Sequence, residues 1–269
     1  MEWAEFTTSD GEALIAGLRA GNGPPVLLLH GGPGLGFEYL RDLAEELAEE
    51  DDVAWYQQRG QAPSAVEGPY TVATDVDDAR RVLDALGWDK AYVVGHSWGG
   101  HLALHVAEAL PDRVRGVLAV DPLGAVGDGR WPEFDEEIFC RTPESVRARA
   151  RELDELSMKG EADDALALEG MRLVWPAYFA DPEAAPPMPE LRMASERSAQ
   201  MGRVDQRRAA EARGRVAPDS GAGRFRSRLA EPDAARSLDG RSRADSGRLG
   251  RRRRRGRSFH LGRGSRRCS

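Results

Sequence analysis

Residues 91–110 read AYVVGHSWGGHLALHVAEAL, and this stretch decides the fold prediction. It opens as a short apolar strand and closes with apolar positions that recur at helical spacing. Between the two, Gly95 and Gly99 stand two residues before and after Ser97, which is the pattern of a nucleophilic serine on a tight strand-to-helix turn. A side chain at either glycine would collide across that turn. A chance match in a chain with 30 glycines is the alternative, and the flanking strand and helix make it much less favoured.

A second glycine-rich turn is placed to serve the same site. The apolar run VLLL at 26–29 leads straight into HGGPG at 30–34. In an open parallel sheet the carboxyl ends of neighbouring strands meet at one edge, so this turn can lie beside Ser97. We therefore expect the backbone N–H groups of Gly32 and Trp98 to form an oxyanion hole, since Trp98 begins a helix whose free donors favour negative charge. A purely structural turn that needs a positive φ at glycine is the alternative for this motif.

The order of the predicted elements defines the fold class. Short apolar strands alternate with amphipathic helices, which predicts an α/β protein with a mostly parallel sheet covered on both faces. A leading hairpin is expected at the sheet edge. The other predicted strands are 26–29, 53–56, 91–94 and 116–120, and the predicted helices are 38–49, 72–86, 144–156 and 162–173.

Three motifs in this order and spacing resemble the α/β-hydrolase superfamily, and specifically its proline iminopeptidase group. They are HGGPG at 30–34, QRG at 58–60 and GHSWGG at 95–100. The resemblance implies an α/β-hydrolase core at 1–128 and a helical cap at 129–201. It also implies acyl transfer to water on a small peptide, amide or ester, through an acyl-enzyme on Ser97. A carboxylesterase or lactonase of the same fold is the nearest alternative.

One position departs from the family's pattern. Its second loop usually reads Asp-Gln-Arg-Gly, whereas Gln57 stands here in the Asp position. The resemblance therefore supports the fold more strongly than it supports aminopeptidase activity. In the expected cap, the run WPAYF at 175–179 is typical of the aromatic clusters that line such caps.

None of the four histidines before residue 201 is a good partner for Ser97. We expect His30 to be structural and the side chain of His96 to point away from Ser97. His101 and His105 lie one helical turn apart, a spacing that a metal site could use, but no Asp or Glu completes a ligand set there and packing is favoured. No metal and no cofactor are expected.

A sharp change of composition separates residues 1–201 from residues 202–269. The first part carries 17 basic and 38 acidic residues, while the last 68 residues carry 21 arginines, no lysine and 7 acidic residues. Only eight of those 68 are Val, Leu or Phe, which is too few for a packed core. A disordered basic tail is therefore predicted over 202–269. Such a tail can bind nucleic acid non-specifically, and a noncatalytic protein with a nucleic-acid-binding arm is the alternative from another functional class.

The resemblance implies that the triad acid and histidine follow residue 200, on loops after the last two strands. No strand-like run occurs there, so both residues remain unknown. Translation of a GC-rich gene out of frame would produce such an arginine bias. Shifted by one base, GRSFHLGRGSRRC at 256–268 permits the reading AGHFIWVEAPGAV, which is close to what the resemblance implies around the catalytic histidine. We hypothesise a frameshift near residues 201–204, in which case His260 is not the family's base and the chain as written turns over negligibly.

The remaining features bound the setting of the protein. Met1 is followed by acidic and aromatic residues rather than by a basic region and an apolar stretch, so no secretory signal is expected. Apolar runs such as 26–29 are far too short to span a bilayer. We expect a cytoplasmic protein with a small-molecule or peptide substrate and no membrane partner.

Overall fold

The computed structural model describes residues 2–124 and 131–202. In this part of the chain the strands are β1 (Ala4–Ser9), β2 (Leu14–Ala20), β3 (Pro25–Leu29), β4 (Asp52–Tyr56), β5 (Ala91–His96) and β6 (Val114–Val120). The helices are α1 (Arg41–Leu47), α2 (Val72–Ala85), α3 (Trp98–Ala109), α4 (Trp131–Arg141), α5 (Glu144–Lys159) and α6 (Asp164–Val174). Short 3-10 helices occupy Phe37–Leu40, Trp175–Tyr178 and Pro182–Ala184.

The strands form one sheet in the order β1-β2-β4-β3-β5-β6. β1 and β2 make an antiparallel hairpin at one edge and β2 pairs antiparallel with β4, whereas β4, β3, β5 and β6 run parallel. Leu29 of β3 lies opposite Gly95 of β5, and His96 of β5 lies opposite Val120 of β6. The carboxyl ends of these three strands therefore meet at one edge. The predicted α/β fold with a mostly parallel sheet and an edge hairpin is confirmed.

Period-two alternation explains why the sheet is covered on both faces. Leu27 and Leu29 belong to the core cluster that packs beneath α2 and α3, whereas Val26 and Leu28 belong to the cluster beneath α1. Every residue of β4 is buried. Burial of one such leucine side chain contributes about 1.5–3 kcal/mol relative to exposure.

The helical segment after residue 130 returns to the core beside the glycine turn at 30–34. The Gly36 N–H donates to the carbonyl oxygen of Arg192 (3.0 Å), and the Ala194 N–H donates to the carbonyl oxygen of Gly34 (2.7 Å). A helix that begins at residue 195 then follows, and it continues to Gly202. The glycine turn is thus held from outside the sheet by residues more than 150 positions later in the chain.

A completely buried ion pair joins this last helix to α2. The Arg197 guanidinium donates to both carboxylate oxygens of Asp75, at 3.1 and 2.6 Å, and to the side-chain oxygen of Gln58 at 3.0 Å. Both charged side chains are 1% exposed. Burial raises the pKa of Asp75 even though Arg197 opposes that shift. The pair therefore fixes where the helical segment lies relative to the sheet.

Within the described residues, β6 is paired on one side only, by β5. Leu118 and Val120 on this strand are 58% and 37% exposed. No described helix is long and apolar enough to cross a membrane. The predicted boundary between core and cap at 128/129, the basic tail beyond Gly202 and the frameshift near 201–204 lie wholly or largely outside the described residues and stay predictions.

Candidate active site

Ser97 lies at the junction of β5 and α3, on the carboxyl edge of the sheet. Its backbone has φ 53° and ψ −120°, a conformation that costs a residue with a side chain about 1–3 kcal/mol. The Ser97 N–H donates to the carbonyl oxygen of Val120 (2.9 Å), and the Ser97 carbonyl accepts from the N–H of His101 (3.1 Å) in the first turn of α3. Both neighbouring elements therefore hold the serine on the strained turn that the glycine spacing predicts.

The glycines around Ser97 are sterically required. A Cβ atom placed on Gly95 would lie 2.1 Å from the carbonyl oxygen of Gly99, and one placed on Gly99 would lie 2.2 Å from the carbonyl oxygen of Leu29. Both distances are far below any that real Cβ atoms make, and backbone atoms cannot give way cheaply. Gly99 thus lets α3 start directly against the end of β3.

The glycine turn lies against the same serine. A Cβ atom on Gly31 would lie 3.2 Å from the Cβ of Ser97, and Gly32 has a φ of 135° that glycine adopts at little cost. The Gly31 N–H donates to the hydroxyl of Tyr39 (2.6 Å). No acceptor within the described residues takes the N–H of Gly32 or of Trp98, and Trp98 is the first residue of α3, where helical N–H groups have no intrahelical partner. These are the two donors that the sequence names for the oxyanion hole.

His30 is a structural residue, as its place in the sequence predicts. The Gln58 N–H can only donate, so the Nε2 of His30 accepts from it (3.0 Å) and the Nδ1–H donates to the carbonyl oxygen of Gly31 (2.8 Å). Burial lowers the pKa of His30 to about 3, so the ring is neutral at physiological pH. The neutral ring ties the glycine turn to the loop after β4.

Gln57 has a local function that a carboxylate could not perform in full. Its side-chain oxygen accepts from the N–H of Phe37 (3.1 Å), while its NH2 group donates to the carbonyl oxygens of Leu35 (3.3 Å) and Gln58 (3.1 Å). An ionised Asp has no donor for the two carbonyl oxygens. Gln57 therefore bonds both donors and acceptors of the loop that carries the glycine turn.

The loop after β4 is also fixed by charge. Arg59 donates from Nε and Nη2 to the two carboxylate oxygens of Asp78 on α2, at 2.7 and 2.6 Å. The Asp78 carboxylate is shared with Arg81. The QRG motif thus acts here as a structural clamp between the loop and α2.

The side chain of His96 contacts Tyr39, and within the described residues no hydrogen bond joins it to Ser97. Its Nδ1 lies 2.8 Å from the Tyr39 hydroxyl, and the two rings meet edge to face at 5.7 Å. Burial lowers the pKa of His96, and the nearby Asp121 opposes that shift. His96 nevertheless lines the same cavity as Ser97.

His101 and His105 pack against each other, as the sequence favours. Their Nε2 atoms are 3.2 Å apart and their rings meet edge to face at 4.7 Å. In the described residues no group of three or more His, Cys, Asp or Glu side chains could hold a metal ion. The spacing of one helical turn thus brings the two imidazole rings into contact.

A cavity of about 510 Å³ opens in front of Ser97. The glycine turn and the end of β6 line it from the sheet, and the helical segment lines it with aromatic rings. These rings belong to Phe134, Trp175, Tyr178 and Phe179. The cluster at 175–179 that the sequence singles out thus faces the same cavity as Ser97.

Three cavity residues have no clear signal in the sequence. Tyr39 lies in a segment that the sequence predicts to be an ordinary amphipathic helix. Asp121 follows β6 with a φ of 44°, a backbone angle that composition does not reveal. Arg141 ends α4 and donates to the carbonyl oxygen of Phe179. For Asp121, the position at the carboxyl end of a strand beside β5 is the one hint that could have placed it in the site.

Comparison with known proteins gives the same fold. Residues 24–153 match a family described as having the alpha/beta hydrolase fold. A proline iminopeptidase of Lactobacillus delbrueckii subsp. bulgaricus is 29% identical over 175 residues, which cover 62% of this chain and 56% of that protein. A candidate carbamate hydrolase, RutD, of Azorhizobium caulinodans is 39% identical over 164 residues, which cover 59% of this chain and 61% of that protein.

The chain thus spans less than two thirds of the length of these two curated relatives. Among solved structures, E-2-(acetamidomethylene)succinate hydrolase superimposes with a TM-score of 0.51 at 21% identity, covering 78% of this chain and 76% of that one. A likeness at this identity shows the fold alone. Together with the strained turn at Ser97 and the sheet order, the match over residues 24–153 shows that this chain has the α/β-hydrolase fold.

Proposed function

We propose that this protein has the active site of a serine hydrolase, in which Ser97 transfers the acyl group of a small peptide, amide or ester to water. The observation that carries the proposal is the strained backbone of Ser97, at φ 53° between β5 and α3, in front of a cavity of about 510 Å³. Strained backbone conformations of this kind cluster at active sites and ligand-binding sites. The proline iminopeptidase among the relatives supports a peptide substrate.

The proposed chemistry begins with attack of the Ser97 hydroxyl on the substrate carbonyl carbon. The carbonyl oxygen becomes an oxyanion, and the N–H groups of Gly32 and Trp98 donate to it. Loss of one such donor typically lowers the rate about 100- to 1000-fold. A general base takes the Ser97 proton and passes it to the amine or alcohol as the C–N or C–O bond breaks. The same base then takes a proton from water, which attacks the acyl-enzyme carbonyl and releases the acid and the Ser97 hydroxyl.

We infer that none of the described histidines is the general base for Ser97. None of the four described histidines hydrogen-bonds the Ser97 hydroxyl there, and the histidine that remains in the sequence is His260. We propose that the triad acid and histidine are absent from this reading of the chain, which supports hydrolysis only weakly. Loss of triad partners lowers turnover about 10⁴- to 10⁶-fold.

Labelling with a fluorophosphonate tests the nucleophile. We expect the purified full-length chain to be modified slowly at Ser97, with the site identified by peptide mass spectrometry, and Ser97→Ala to take up no label. The protein expressed from a gene with the other frame restored after residue 201 should react at least about 1000-fold faster. Absence of label on Ser97 in both proteins would refute the proposal that it is a nucleophile.

The variant His260→Ala tests whether His260 is the general base for Ser97. If the triad is incomplete, this variant labels at the same slow rate as the unaltered chain. A fall in rate would identify His260 as the base and refute the proposed inactivity. Detection of the GRSFHLG peptide in native protein would likewise rule out the frameshift.

The type of substrate is tested with two compounds. We expect the frame-restored protein to hydrolyse proline naphthylamide in preference to p-nitrophenyl acetate. The opposite preference would favour the carboxylesterase alternative.

A further inference from the structure

The hydroxyl of Tyr39 bridges the two backbone segments that make up the candidate site. It lies 2.6 Å from the backbone nitrogen of Gly31 in the glycine turn and 2.8 Å from the Nδ1 of His96, the residue before Ser97. The sequence separations are 8 and 57 residues. The Tyr39 hydroxyl oxygen thus connects the glycine turn at 30–34 with the turn that carries Ser97.

The directions of the two hydrogen bonds follow from their chemistry. The Gly31 N–H can only donate, so the Tyr39 oxygen accepts that bond. Because the Tyr39 O–H has no other acceptor within the described residues, it donates to Nδ1 of His96, which is then the unprotonated nitrogen of a neutral ring. Burial raises the pKa of Tyr39 and lowers the pKa of His96, so both groups are in the neutral forms that this arrangement needs.

We propose that Tyr39 is a positioning residue, whose hydroxyl holds the glycine turn at a fixed distance from Ser97 so that the Gly32 N–H is aimed at the oxyanion. This inference rests on the proposed function. The hydrogen bond to Tyr39 occupies the N–H of Gly31. Of the two neighbouring glycines, Gly32 therefore keeps an N–H that is available to an oxyanion.

The packing around the bridge leaves little room for adjustment. A Cβ atom on Gly31 would lie 2.8 Å from the Tyr39 hydroxyl and 3.2 Å from the Ser97 Cβ. The backbone of Gly31 is therefore already confined between these two side chains. An oxyanion hole misplaced by about 1 Å can lower the rate about 100-fold.

Tyr39→Phe removes the bridging oxygen and leaves the ring, with its edge-to-face contact to His96. Tyr56→Phe is the matched control, because the Tyr56 hydroxyl is buried and has no hydrogen-bond partner within the described residues. Both variants lose one buried hydroxyl from an aromatic side chain in the same domain. Only the first loses contacts with the candidate site.

Three measurements on the full-length chain test the bridge. In Tyr39→Phe we expect fluorophosphonate labelling of Ser97 to slow about tenfold or more, within the range for a displaced oxyanion donor. We also expect faster amide hydrogen exchange at Gly31, and ¹⁵N chemical shifts of His96 that change from protonation at Nε2 alone to a mixture of tautomers. Tyr56→Phe should leave all three at the values of the unaltered chain.

Labelling of Tyr39→Phe at the unaltered rate would overturn the positioning role. Unchanged exchange at Gly31 with unchanged ¹⁵N shifts at His96 would overturn the bridge itself. If Ser97 is labelled in neither the unaltered chain nor Tyr39→Phe, the proposed function is refuted, independently of the role of Tyr39. The amide shift of Gly32 then decides whether Tyr39 positions the turn, since an unchanged shift in Tyr39→Phe would refute it.

Discussion

His30 should give the stability of this protein a pH dependence that is measurable apart from activity. The ring is 0% exposed and holds one proton, on Nδ1, which it donates to the carbonyl oxygen of Gly31. A second proton, on Nε2, would face the N–H of Gln58 and abolish the hydrogen bond that Nε2 accepts from Gln58. We predict that His30→Gln removes a loss of stability that the unaltered chain undergoes on acidification.

The sign and size of this effect follow from the two pKa values of His30. Burial lowers the pKa from its ordinary value of 6.5, which the unfolded chain retains, to about 3 in the folded protein. Between these values the unfolded chain binds more protons than the folded chain, so the free energy of unfolding falls as the pH falls. At about 1.4 kcal/mol for each pKa unit, the full difference is about 4–5 kcal/mol, and about 2–3 kcal/mol of it develops between pH 7.5 and 4.5.

The assay is urea unfolding followed by tryptophan fluorescence at several pH values from 7.5 to 4.5. The free energy of unfolding of each protein is referred to its own value at pH 7.5, which removes the cost of the substitution itself. We expect the unaltered chain to lose about 2–3 kcal/mol more than His30→Gln over this interval. Equal losses in the two proteins would show that His30 is not buried in its neutral form, and the proposed tie between the glycine turn and the loop after β4 would be refuted.

Three further tests concern the buried ion pair, the tight turn at Gly99 and the exposed side chains of β6. Arg197→Met should destabilise the protein by about 3–5 kcal/mol in urea unfolding, because the Asp75 carboxylate is left buried and unpaired; adding Asp75→Asn should recover part of that loss. Gly99→Ala should cost at least about 3 kcal/mol, whereas Gly116→Ala, whose Cβ would meet its nearest atom at 3.4 Å, should change the free energy of unfolding by less than about 1 kcal/mol. Leu118→Lys should raise the concentration at which aggregation begins, measured by light scattering, because it places a charge on a half-exposed strand that is paired on one side in the described residues.

Sequence reasoning succeeds where local pattern and sterics determine the structure. The apolar run before residue 30 must be a buried strand, and the glycine spacing around Ser97 admits few turns other than the observed one. Helix α2 illustrates the same point, since its start at Val72 is fixed by Thr71, whose side chain accepts the Thr74 N–H at 3.1 Å. Such signals lie within a few residues of the structure that they determine.

The contacts that sequence reasoning does not find join distant positions. Arg197 and Asp75 are 122 residues apart, and Tyr39 and His96 are 57 apart. An arginine or a tyrosine in an amphipathic helix gives no sign of a buried partner in another element, because either side chain is equally compatible with an exposed face. Only the way in which the helical segment folds back onto the sheet brings these groups together.

The change of charge near residue 201 bears on which residues accompany Ser97 in the candidate site. The described residues supply a strained serine, two available N–H donors and a cavity, and every histidine among them is held by contacts other than the Ser97 hydroxyl. A serine hydroxyl needs a base to become a nucleophile at neutral pH. Under the proposed function we therefore expect the base to be encoded after residue 201 in the other reading frame, since the present frame has one histidine there, His260. Comparison of the Ser97 labelling rate in the two reading frames therefore tests the proposed incomplete triad, because the frame determines which residues follow position 201.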